Sequence, residues 1–126
     1  MAYQVCWYYQ DAVILAEYYR HSTVDEINTA REEIIRLLDN ASQPVQIISD
    51  WRHADNVAIR YSMRPRILDL LRHRRMGTVA FVGMNPILEF WAELFAKRSG
   101  LHYVTAQSVE EAGQMLLQIN QAAAIK

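Results

Sequence analysis

The sequence predicts an α/β fold: a single mixed five-stranded sheet with four helices, in the order β-β-α-β-α-β-α-β-α. Three observations predict it. Apolar residues alternate near the start, take helical spacing from Thr23 onward, and the two periods then exchange along the chain. Helix-start signals stand at Thr23, Asn85 and Ser108, each a capping residue before an apolar run. Short apolar blocks at 45–49, 78–82 and 101–105 separate the helical stretches, as parallel crossover units require.

The elements follow in order. Tyr3, Val5, Trp7 and Tyr9 alternate with Gln4, Cys6, Tyr8 and Gln10, which predicts a strand with Trp7 and Tyr9 facing the core and Tyr8 facing away. Gln10 and Asp11 are the expected turn, and a second strand runs from Ala12 to Tyr18 and Tyr19. Val24, Ile27, Ala30, Ile34, Leu37 and Leu38 then give one packed helix face, while Asp25, Glu26, Arg31, Glu32 and Arg36 read as its wet side. Thr23 and Glu26 have capping-box spacing. Residues 45–49 are a short buried strand, and 49–56 are expected to be a loop with a helical turn near 57–61.

Pro65 suits the first turn of a helix that buries Ile67, Leu68, Leu70 and Leu71 and closes at Gly77. Residues 78–82 form a strand joined by Gly83, Met84, Asn85 and Pro86 to a helix capped by Asn85. Ile87, Leu88, Phe90, Trp91, Leu94 and Phe95 give that helix a broad apolar face, and Gly100 ends it. After a strand at 101–105, Ser108 and Glu111 start the last helix, whose seam is Val109, Ala112, Met115, Leu116 and Ile119, with a fraying tail beyond Asn120.

With 126 residues, 52% of them hydrophobic, and a net charge of −1, the chain fits one domain over residues 1–126. A single cysteine, Cys6, excludes an intrachain disulfide and suits a reducing, cytoplasmic setting. The start lacks a signal-peptide pattern, and no run approaches the roughly 20 apolar residues of a membrane span. Phosphate-cradling glycine motifs, metal-ligand spacings and nucleophile–histidine sets are absent too, so no catalytic, cofactor or metal residue is assigned.

The chain resembles the STAS family, and within it the SpoIIAA-like group, which shares its fold with anti-sigma-factor antagonists and the cytoplasmic domains of sulfate transporters. The residues carrying the resemblance are the aromatic hairpin 3–19, the capped helix from Ser22-Thr-Val-Asp-Glu26, the strand Val45-Gln-Ile-Ile-Ser-Asp50, the unit Gly77-Thr-Val-Ala-Phe-Val82, and Tyr103 to Ala112 with its Ser-x-Glu-Glu-Ala helix start. The resemblance implies a non-enzymatic regulatory module acting through a protein surface. The family's phosphorylatable Asp-Ser-Ser/Thr-Gly segment is missing, since Ser49-Asp50-Trp51 stands in its place; Ser62, ahead of the Arg64-Pro65 helix start, is its approximate counterpart.

Two constellations stand out as candidate sites. Six arginines between 60 and 75, opposed only by Asp69, give that segment a charge of +5, and Arg60, Arg64 and Arg66 can grip an anion or an acidic partner surface. No nucleic-acid motif accompanies them, so nucleic acid is not the expected partner. Asp50, Trp51 and His53 follow a parallel strand, where ligands of open α/β sheets bind. A cleft joining Asp50, His53 and Arg64, with a small anionic or lipid-like ligand among the aromatic residues, is the alternative to a protein-interaction module. Tyr8 at a sheet edge favours a homodimer.

Overall fold

Each change of hydrophobic period becomes an element in the computed structural model, which describes residues 2–57 and 63–125. They are β1 (Tyr3–Tyr9), β2 (Val13–Ser22), α1 (Val24–Asp39), β3 (Val45–Val57), α2 (Arg64–Leu71), β4 (Met76–Val82), α3 (Pro86–Ser99), β5 (Tyr103–Ala106) and α4 (Val109–Ile125). The five strands lie in chain order, β1-β2-β3-β4-β5. β1 and β2 form an antiparallel hairpin, and β2 through β5 are parallel.

Strand order dictates the layers. Each crossover from β2 to β5 moves one strand in the same direction, so the right-handed rule puts α1, α2 and α3 on one face. The other face is left to α4. The core divides accordingly. Ile14, Ala16, Tyr18, Ile47, Trp51 and Val79 meet Ala30, Ile34, Leu38 and Leu88 on the first face. Val13, Ile48, Ala80 and Val82 meet Val109, Ala112 and Leu116 on the second.

Local signals hold at the helix starts. The Thr23 hydroxyl accepts from the Glu26 amide at 3.2 Å while the Glu26 carboxylate accepts from the Thr23 amide at 3.2 Å. Asn85 Oδ1 accepts from the Leu88 amide at 2.9 Å, and Ser108 Oγ from the Glu111 amide at 3.1 Å. Gly100 ends α3 in the left-handed conformation, φ 76°.

Several expectations are corrected. The loop expected over 49–56 is strand: β2 runs on to Ser22 and carries β3 with it as far as Val57. Its polar composition marks a part of the sheet where Arg52, His53 and Asp55 are exposed, not a break in pairing. Gly77 does not end α2, which stops at Leu71, but lies inside β4. Tyr9 is 56% exposed, because a register shift between Trp7 and Tyr9 breaks the alternation at Tyr8. Ile87 and Phe90, placed on the packed face of α3, are 69% and 62% exposed; that stripe is wider than the surface α3 covers. α4 continues through the alanine tail to Ile125. The helical turn expected near 57–61 falls largely on residues 58–62, outside the described residues.

Candidate functional site

The site begins with a mismatch between three helices and the sheet beneath them. α1, α2 and α3 leave a cavity of about 130 Å³ against β2, β3 and β4. Tyr18, Ile47, Trp51 and Phe81 form its sheet-side wall. α2 presents Ile67, Leu70 and Leu71, and α3 presents Leu88, Trp91 and Phe95. The volume is close to that of a core cavity that takes up a benzene ring, roughly 150 Å³.

Aromatic planes hold the walls open. Tyr18 stacks on Trp51 with centroids 4.0 Å apart and planes 8° from parallel, a cross-strand pair produced by the β2–β3 register. Trp51 Nε1 donates to Ser49 Oγ at 2.9 Å, which fixes the indole. Trp91 stacks on Phe95 one turn along α3, centroids 5.6 Å apart. Burial pushes the Tyr18 phenol well above its ordinary pKa, so it stays neutral.

The polar exceptions in this lining are Asn28, Arg31 and Ser49. The helical spacing puts Arg31 on the wet side of α1, and the structure corrects this. It lies four residues after Ile27 and three before Ile34, on the same stripe, and its side chain is only 15% exposed. Its Nε is buried without a hydrogen-bond partner, and Nη2 lies 3.8 Å from Glu32 Oε1. The spacing from Ile27 to Ile34 was the available signal for this residue.

The predicted site residues are dispersed. Asp50, 1% exposed, lies on the α4 face, where its carboxylate receives Arg52 Nε at 3.0 Å, Nη2 at 3.1 Å and the Arg52 amide at 3.1 Å. Hydrogen bonding to Asp50 raises the Arg52 guanidinium pKa further. Trp51 points the other way, into the cavity wall. One extra residue in β3 between the Glu17–Asp50 and Tyr19–His53 pairs then brings His53 beside Tyr19, ring centroids 6.0 Å apart. Arg64 opens α2 over the opposite face from Asp50, so Asp50, His53 and Arg64 do not share a cleft.

Arg64 instead borders a surface groove with Asp69, Arg72 and Arg98, across which Arg72 Nη2 donates to the Arg98 carbonyl at 2.9 Å. Arg66 is exposed on α2, whereas Arg74 lies beyond the helix end. Arg60 and Ser62 lie outside the described residues. Among the described residues no group of three His, Cys, Asp or Glu is placed to hold a metal ion, and no helix is long and apolar enough to cross a membrane.

These layers and this strand order define a SpoIIAA-like α/β fold. A solved structure that the chain matches is that of an uncharacterised protein of the DUF3478 family with a SpoIIAA-like fold, from Shewanella loihica PV-4. The two superpose with a TM-score of 0.65 over 91% of this chain and 92% of that one, at 13% sequence identity. No family model and no curated protein matches the chain.

Proposed function

We propose that this chain is a non-enzymatic binding domain that holds a small apolar ligand between its sheet and α1–α3. The observation carrying this reading is the cavity of about 130 Å³ walled by Tyr18, Trp51, Phe81 and Trp91. An apolar ligand in a space of that size gains dispersion contacts with the walls around it. Among the described residues the lining holds no acid, histidine or cysteine, which suits binding better than proton-transfer catalysis. Titration with toluene checks it: saturable binding that shifts the Trp51 and Trp91 indole resonances is expected. Toluene without effect at its solubility limit would overturn the reading.

The distribution of surface charge supports a second reading, docking of an acidic partner protein. Arg64, Arg72 and Arg98 border one groove, with Arg66 exposed nearby. Self-association is a further form of it, because β1 is a sheet edge flanked by the exposed Tyr8 and Tyr9. Light scattering at micromolar and higher concentrations is expected to report a dimer, and a monomer throughout would remove that form.

A further inference from the structure

Among the described residues, the proposed cavity has one charged residue in its lining. Arg31 lines the apolar wall, and its Nε, like that of Arg75, is buried with no hydrogen-bond partner. A buried guanidinium N–H without a partner is costly, and an acceptor brought to the Arg31 guanidinium would offset part of that cost. Glu32 does not supply it. Its carboxylate is 3.8 Å from Nη2, on a side chain 61% exposed.

We infer that the ligand is a small aromatic monocarboxylate, with its ring between the Tyr18–Trp51 and Trp91–Phe95 pairs and its carboxylate on Arg31. This inference rests on the binding reading above and adds the chemical class. Three features converge on it. The volume admits about one six-membered ring. The stacked aromatic side chains provide flat walls for a planar ring. Among the described residues Arg31 is the one charged residue of the lining, and a carboxylate meets a guanidinium with charge-assisted hydrogen bonds. Asn28, one turn before Arg31 on α1, offers a further donor at the same end.

The test compares benzoate, benzyl alcohol and toluene by calorimetric titration of the full chain near neutral pH, with the Trp51 and Trp91 indole resonances reporting occupancy. Benzoate is expected to bind at least about tenfold more tightly than benzyl alcohol. Arg31→Met keeps the apolar length and the helix propensity while removing the guanidinium. It should lose that preference and retain toluene. Arg31→Gln, which keeps a donor but no charge, should fall between the two, and circular dichroism verifies that both variants fold. If wild type binds toluene but does not prefer benzoate, or if Arg31→Met keeps the preference, the carboxylate assignment is overturned and the cavity reading stands. If wild type binds none of the three probes, the cavity reading itself fails.

Discussion

The two faces of this sheet are built from the same alternating strands, yet they solve opposite packing problems. On the α4 face one helix presents small and branched side chains, and Val109, Ala112 and Leu116 close directly on Val13, Ile48, Ala80 and Val82. On the other face three helices present bulky aromatic and branched groups, whose stacked rings leave space between them. Charge follows the reverse rule. The tight face contains a satisfied ion pair, Asp50 with Arg52, and the open face contains an unsatisfied arginine, Arg31. Close packing and a satisfied ion pair suit a structural face, and the looser packing around Arg31 is what the proposed binding reading draws on.

The largest expected effect tests the ion pair. Arg52→Ala strands a buried carboxylate and should lower stability by roughly 3–5 kcal/mol in chemical denaturation, whereas Asp50→Leu combined with Arg52→Leu should recover most of it. If the single variant costs no more than the double, the pair does not stabilise the α4 face as described.

Next comes one substitution placed on each face. Ala112, fully buried where α4 meets the sheet, has no room, so Ala112→Leu should destabilise by about 1–3 kcal/mol. Ala92 lines the cavity, so Ala92→Leu should stabilise by about 1 kcal/mol and weaken toluene binding. Equal signs in thermal unfolding would erase the contrast between the faces.

Gly83 gives a comparable but more local effect. It has φ 71°, and a Cβ there would stand 2.8 Å from the Arg52 Cα, so Gly83→Ala should cost about 1–2 kcal/mol. Arg52 would be displaced from Asp50 in the same step, which amide exchange in β3 would report.

The smallest effect concerns the start of α1. Glu26 accepts backbone hydrogen bonds from Thr23 and from Ala2, and these hold its carboxyl below the usual range despite partial desolvation. A depressed folded pKa means that the stabilisation is present above the unfolded value and is lost as pH falls through the folded one. The stability difference between wild type and Glu26→Gln should therefore shrink from about pH 6 to about pH 3. A pH-independent difference would show that the capping box does not depend on the charge.

Legibility in the sequence tracked the range of the interactions. Thr23, Asn85, Ser108 and Gly100 work within a few residues of themselves, and their roles are readable from the local sequence. The polar end of β3 was not readable as strand, because Asp50, Arg52, His53 and Asp55 pair with a β2 extension thirty-odd residues earlier in the chain. The candidate site was legible only through Trp51, since Asp50 and His53 depend on strand register and Arg31 depends on which helices neighbour α1.

The sequence by itself determined the element order, the helix caps and the α/β class, because periodicity and capping are local consequences of side-chain spacing. Tertiary structure alone decided that Asp50 and Trp51, adjacent in the chain, serve opposite faces, and that Arg31 borders an apolar space. Those outcomes depend on strand register and on how three helices share one face, and neither quantity is written in any contiguous stretch of residues.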